Sequence, residues 1–476
     1  MKNKIIYSLA ISSAFVSCKQ TKMNSGKTQA LQSIDLKALD TTIQPADDFF
    51  LFANGTWIAN TEIPASESRW GSFNELEQAN NKKLVTILNA ILSNPGEVGS
   101  QNQILAAYFS SFTNMSLRNE LGIDPLREDL VKIAALSDKQ AMEELIALLH
   151  RDGISVFFSF GIGQDLKNIN KNAAYVGQAS LGLPNRDYYY EENKQEIRDA
   201  YSAFVNKALQ ICQLENPEQV AKDAVLFEIA LAKAMYKPAE QRQPEKTYNP
   251  QAYRYFNRQL YPNLNFEKYL SAMGSRIPDT LIVSNPVYFE NLKKLLDESS
   301  LEQIKSYLTW SLVNHYAGHL NEELDILNFS FYGGVLSGKQ AQAEIEKRCI
   351  DEMTDLPIGE LLGKAFVEAH FSNEAQRRIN ELVDNLLMVY RMRIEQLDWM
   401  SDATRKEAII KLEAIGRKLG FPSKWEDFTS LRLRNDRYFW NYRDINRYSV
   451  EKNLAELGQP VDKDKWGMPA HMVNAY

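Results

Sequence analysis

Ile379-Asn380-Glu381-Leu382-Val383-Asp384-Asn385-Leu386-Leu387-Met388-Val389-Tyr390 is the stretch on which the fold class turns. Apolar residues fall at Leu382, Val383, Leu386, Leu387 and Tyr390, and continue at Ile394 and Leu397. Spacing of i, i+3, i+4 and i+7 is that of an amphipathic helix. Ser372 or Asn373 offers a side-chain cap at its start. The same period predicts helices over 75–92, 102–112, 138–150, 194–212, 217–235, 288–312, 340–348 and 402–418, the last stopped by Gly420-Phe421-Pro422. Strand signals are few. Residues 154–160 (Ile-Ser-Val-Phe-Phe-Ser-Phe) are rich in β-formers, and 175–180 is a candidate partner. The chain therefore reads as mainly α, with a large multi-helix lobe and a few short strands.

Composition bounds the function. With 476 residues the chain can build more than one lobe, and 44% hydrophobic with 24% charged residues is ordinary for a globular protein. A net charge of −7 argues against a general nucleic-acid binder, which needs a basic face. The 22 Tyr, 22 Phe and 7 Trp read first as core packing.

The first residues read as an address. Lys2 and Lys4 precede an apolar run, Ile5 to Val16, too short to span a bilayer comfortably. Phe15-Val16-Ser17-Cys18 resembles a bacterial lipobox with Phe in place of the usual Leu, which makes Cys18 the expected lipidation site. Residues 1–18 are then a lipoprotein signal peptide and 19–34 a polar tether. The expected location is the bacterial cell envelope, membrane-anchored and facing the periplasm or the cell surface. Only Cys212 and Cys349 remain after Cys18, and spacing does not say whether they pair.

Four blocks carry a family resemblance. Asp48-Phe49-Phe50-Leu51-Phe52-Ala53-Asn54-Gly55-Thr56-Trp57 reads as an aromatic helix closed at Asn-Gly. Ile63-Pro64 and Ser68-Arg69-Trp70-Gly71-Ser72-Phe73 follow it. Leu181-Gly182-Leu183-Pro184-Asn185-Arg186-Asp187-Tyr188-Tyr189 reads as a turn after a strand, with Arg186 and Asp187 positioned to pair locally. Trp399-Met400, Thr404, Ala408 and Lys411 precede Gly420-Phe421-Pro422. The chain closes on Trp466-Gly467-Met468-Pro469-Ala470-His471-Met472-Val473-Asn474-Ala475-Tyr476. Together these resemble the neprilysin and endothelin-converting-enzyme family of zinc metallopeptidases over about residues 35–476. Departures are Trp70 for Tyr, Asn185 for Asp and Ser401 at an acidic position.

The resemblance implies a helical N-terminal peptidase domain over 35–425 that covers and restricts the substrate cavity. It further implies the beginning of a thermolysin-like α/β catalytic lobe over 426–476. Zinc is the implied cofactor, peptides are the implied substrates, and the membrane is reached through the lipid anchor. Asn474 and Ala475 are the implied substrate-gripping pair, on an edge strand whose free N–H and C=O groups take up an extended peptide. Arg69 is the implied partner of a peptide's free carboxylate, to which a guanidinium fork binds bidentately. The family's H-E-x-x-H lies beyond the last matching motif, so no catalytic residue or zinc ligand is assigned, and these 476 residues alone are expected to be inactive. His315-Tyr316-Ala317-Gly318-His319 has two imidazoles at i, i+4, but Tyr316 stands where the general base would be. An alternative is a non-catalytic surface lipoprotein that binds peptides or oligosaccharides.

Overall fold

The computed structural model describes residues 35–260 and 263–475. The signal segment 1–18, Cys18 and the tether 19–34 lie outside the described residues. Contacts divide the chain after Glu62.

In the first unit, Asp48 caps the helix Phe49–Asn60 by accepting from Leu51 N at 2.8 Å. This helix runs straight through Asn54-Gly55, where the sequence predicts its end. The reason is a close approach: a Cβ on Gly55 would lie 2.7 Å from the Cβ of Asp40. Glycine is used there for clearance and not to turn the chain. Thr56 Oγ1 donates to Leu39 O at 2.7 Å, holding the preceding turn against the same helix.

The second unit is built on two apolar cores. The larger takes side chains from Ile123 to Phe331, with Trp310, Tyr288, Tyr307 and Phe157 fully buried. The smaller joins the helices Ser72–Ser93, Gln101–Thr113, Ile345–Asp355 and Gly359–His370. Most expected helices form within a few residues of their predicted limits. Residues 288–312 instead form two helices, Pro286–Glu298 and Leu301–Tyr316. Ser300 restarts the chain through a capping box: its Oγ accepts from Gln303 N at 3.2 Å, and Gln303 Oε1 accepts from Ser300 N at 2.9 Å. The helix expected at 340–348 starts only at Ile345, and that expected at 402–418 closes at Glu413.

One four-stranded sheet is described, in the order β1 (Phe158–Asp165), β2 (Asn168–Gln178), β4 (Thr280–Val283) and β3 (Pro250–Ala252). β1 and β2 are an antiparallel hairpin, with Phe160 opposite Val176, so the expected pairing forms but starts later. Residues 154–157 stay outside the strand because Phe157 takes φ +59°. Two core tyrosines hold it there. Tyr307 Oη accepts from Phe157 N at 3.3 Å, and Tyr288 Oη donates to Phe157 O at 2.6 Å.

The helix Tyr438–Ala455 joins the two cores. Phe439 and Leu454 enter the larger core, and Tyr438 and Ile445 the smaller. Residues after 425 are therefore part of the same packed body. Arg443 fixes the helix: its Nε meets Asp152 at 2.7 Å and its Nη2 meets Asp129 at 2.7 Å, with both carboxylates buried. Cys212 and Cys349 are free and buried, one in each core.

The amphipathic helix at 373–395 departs most from expectation. Asn373–Glu395 is capped by Ser372 as the sequence indicates, yet none of its residues is buried. Leu382 is 59% exposed and Leu386 50%. The helix Asp402–Glu413 packs antiparallel beside it, tied by Arg391 to Glu413 and by Asp384 to Arg417, and it too buries nothing. Ile379, Val383 and Leu387 are half-buried, while Leu382, Leu386, Val389 and Tyr390 stand exposed.

Replacing Arg443 by Ala would remove the cation that Asp129 and Asp152 share, leaving Asp152 with Arg447 alone and Asp129 with Lys132 alone. The expected loss is about 3 kcal/mol of unfolding free energy, the low end for breaking a buried pair because each carboxylate keeps one cation, measured by urea denaturation of the variant against the parent chain.

Candidate substrate-binding site

Arg69 lies in the loop 63–71, directly before the helix Ser72–Ser93. Pro64 O accepts from Glu67 N at 2.8 Å, closing a turn. The Ala65 carbonyl accepts from two successive amides, Gln340 N at 2.8 Å and Ala341 N at 2.9 Å. Glu67 lies 3.6 Å from Lys347 Nζ and 3.9 Å from Lys339 Nζ. Arg69 itself is exposed and makes no ion pair among the described residues. The helix it precedes starts at Gly71 without a side-chain cap. That end carries unpaired N–H groups and the positive pole of the helix dipole.

Residues 466–475 do not form the expected edge strand. They are turns and bends, with Met472 N donating to Pro469 O at 3.1 Å and Asn474 N to Met472 O at 3.0 Å. The physical reason is local: no described strand lies beside them to pair with. Ala475 N donates to Asn474 Oδ1 at 2.8 Å, which orients the Asn side chain and leaves its Nδ2 donors free of any described partner. Asn474 and Ala475 are both exposed.

What anchors this segment is His471, to which the sequence assigns no role. His471 is buried, and its Nε2 lies 2.8 Å from Thr354 Oγ1. Its carbonyl accepts from Asn80 Nδ2 at 3.2 Å. The adjoining chain passes so close to the helix Gly359–His370 that a Cβ on Gly363 would lie 2.9 Å from Ala470 N. Glycines four residues apart, Gly359 and Gly363, open that face; this spacing was the available sequence signal. Asn80 is eight residues beyond Ser72 on the helix that follows Arg69. Helical rise therefore separates the two segments by about 12 Å along that axis.

His315 and His319 do not form a metal site. Their rings are 6.3 Å apart, and His319 Nε2 is turned to Glu352 at 3.2 Å. Burial alone would raise the pKa of Glu352, but His319, Tyr108 and Tyr438 outweigh it and hold the carboxyl below its usual range. Burial pushes His315 down to about 3. Among the described residues, no group of three or more His, Cys, Asp or Glu side chains could hold a metal ion. The described residues thus do not fit zinc.

The loop around Gly182 is structural. Glu228 accepts from Gly182 N at 3.2 Å, Tyr189 Oη at 2.9 Å and Tyr201 Oη at 2.7 Å, and burial pushes its pKa up to about 7. Asp187 faces Lys237 at 3.7 Å and not the neighbouring Arg186, whose guanidinium lies over Tyr190.

Helical cores of this kind, with an exposed Arg loop and a docked C-terminal segment, define a class that the comparisons identify. The family model for peptidase family M13 matches residues 45–422. The chain belongs to peptidase family M13. It is 26% identical to Neprilysin-3 of Drosophila melanogaster, over 93% of this chain and 60% of that one. Identity is also 26% with the neutral endopeptidase of Lactococcus lactis, over 90% and 69%. The solved structure of the Mycobacterium tuberculosis zinc metalloprotease Zmp1 with an inhibitor superposes with a TM-score of 0.88 at 28% identity. That match covers 93% of this chain and 67% of that one. The chain thus spans roughly two thirds of the length of these relatives.

Burial holds His471 down to about 4. A histidine with a depressed folded pKa binds fewer protons folded than unfolded, so its contribution is full above about 6.5 and is lost as pH falls toward 4. The protection factors of amides across 466–475, which correct for the slower intrinsic exchange in acid, should therefore fall between about pH 6.5 and 4. In His471→Gln, which cannot titrate, the protection factors should show no such step.

Proposed function

We propose that this chain is the substrate-restricting and peptide-gripping part of a zinc metalloendopeptidase, exported and held at the envelope through Cys18. In this reading Asn474 and Ala475 hold the peptide backbone near the scissile bond, and Arg69 binds the peptide's free carboxylate. The observation that carries it is the helix Ser72–Ser93. One end adjoins Arg69, and Asn80 on its third turn holds the carbonyl of His471, three residues before Asn474. An axial offset of about 12 Å matches some three to four residues of extended peptide.

Zinc, when bound in the complete peptidase, would polarise the scissile carbonyl and supply a nucleophilic water. None of the 476 residues here forms an H-E-x-x-H motif. The contribution of this chain is to bind, orient and enclose. Purified residues 19–476, assayed with peptide substrates in the presence of zinc, should show no chelator-sensitive hydrolysis. Such hydrolysis would overturn the reading.

The exposed stripe of the helix Asn373–Glu395 supports the same reading. We assign it as the docking face for a catalytic portion of the kind that makes up the remaining third of the relatives. Left open, it should bind the dye ANS strongly. The double variant Leu382→Glu/Leu386→Glu should lower ANS fluorescence and aggregation without lowering the melting temperature, since neither side chain is buried. A fall in melting temperature would show that the stripe is packed in solution.

A further inference from the structure

We propose that Lys339 and Lys347 act as positioning residues for Arg69: they hold Glu67 away from the guanidinium and so leave it open to a peptide's free carboxylate. The inference rests on the reading of Arg69 given above and names what sets that residue's availability.

Glu67 stands two residues before Arg69 in the same loop. A carboxylate so near an exposed guanidinium is its natural partner, and a paired Arg69 would have to be released before it could bind a ligand. Glu67 instead faces Lys347 and Lys339, and its side chain is only 16% exposed. Lys347 also meets Asp351 at 2.8 Å, one turn on in its own helix, so its ammonium is fixed from both sides.

The strap that carries Lys339 is itself rigidly placed. It leaves a π-helix, Phe329–Val335, a form that recurs at functional sites. Lys339 N donates to Gly333 O at 2.9 Å and Gly338 N to Gly334 O at 2.9 Å, with Gly338 at φ +74°. Tyr332 Oη, at the centre of the π-helix, bonds Gly182 O at 2.9 Å and Asn314 Oδ1 at 3.0 Å. The next two amides of the strap, Gln340 and Ala341, clamp Ala65 O. Backbone clamp and lysine pair thus act on the same loop, one fixing its path and the other fixing which way its carboxylate turns.

The test uses the whole chain and two readouts. The first is the rate of phenylglyoxal modification at Arg69, followed by mass spectrometry, which needs no ligand. The second is the affinity for a short peptide bearing a C-terminal carboxylate against its C-terminal amide. In Lys339→Met/Lys347→Met, Glu67 should turn to Arg69, slowing modification several-fold and abolishing a carboxylate preference of about tenfold. Adding Glu67→Gln to that variant should restore both, a rescue that a purely structural role for the lysines would not give. An unchanged modification rate in the lysine variant overturns the proposal, as does failure of Glu67→Gln to rescue. If Arg69→Ala keeps the carboxylate preference, the reading of Arg69 itself fails, and the positioning role with it. If Arg69→Ala loses the preference while the lysine variant keeps it, Arg69 stands and only the positioning role falls.

Discussion

A buried ion network, two carboxylates sharing the Arg443 guanidinium and each paired once more, with Arg447 or Lys132, holds this molecule in register. Asp129 and Asp152 come from neighbouring helices of the larger core, and Arg443 from the helix that also enters the smaller one. Such a group adds little net stability over a well-packed apolar substitute, but it is costly to break and admits few geometries. It therefore acts mainly on specificity. It sets where the helix Tyr438–Ala455 lies, and with it Tyr438, whose hydroxyl donates to Glu352 at 2.8 Å. Arg118 completes the joint. It is buried under the Tyr438 ring, and its guanidinium bonds the carbonyls of Gly318 and Leu320, each at 2.8 Å. A cation at a helix C-terminus satisfies orphan carbonyls and the dipole together.

Helix type was legible where the apolar period is sustained, because that period is a local property of the chain, but the helices Gly359–His370 and Tyr438–Ala455 were not read from it. Ser372 was read as a cap and is one. Two of the misreadings share a cause: a contact with another segment overrides a local signal. Asn54-Gly55 looks like a stop, but the glycine only makes room for Asp40. Residues 154–157 look like a strand, but Tyr288 and Tyr307 fix Phe157 in a left-handed conformation. The break at Ser299-Ser300 had a local signature, a Ser followed three residues later by Gln, and periodicity alone passed over it.

The site was legible by residue but not by arrangement. Arg69 could be marked from its motif, yet nothing around it in sequence indicates Ala65 and Glu67 as the points where the loop is held. Their partners lie some 275 residues on, in a segment expected to be helical from 340. The Gly333-Gly334 and Gly338 spacing was the only cue that this segment was a strap. His471 is given no role by the resemblance, because its position in the family tolerates many residues. Its weight comes from burial against Thr354 and Asn80, which only the folded chain brings together.

The exposed helix Asn373–Glu395 also changes what amphipathicity should be taken to mean. A stripe of Leu, Val and Tyr at helical spacing states that a face is meant to be covered; it does not state by what. In the larger core the same pattern is closed within the chain, as in the helix Leu301–Tyr316, where Ile304, Leu308 and Trp310 are fully buried. In the hairpin 373–413 the ion pairs Arg391–Glu413 and Asp384–Arg417 hold the two helices to each other, with Val383 and Leu387 half-buried and Leu382, Leu386 and Tyr390 left outward. Surface ion pairs of this kind contribute little to stability, so they set the hairpin's geometry without supplying its driving force. The cost of hydrating that stripe remains until another surface removes it from water. A binding partner for this face would therefore gain apolar burial from a hairpin that is already assembled, without the entropy of ordering it.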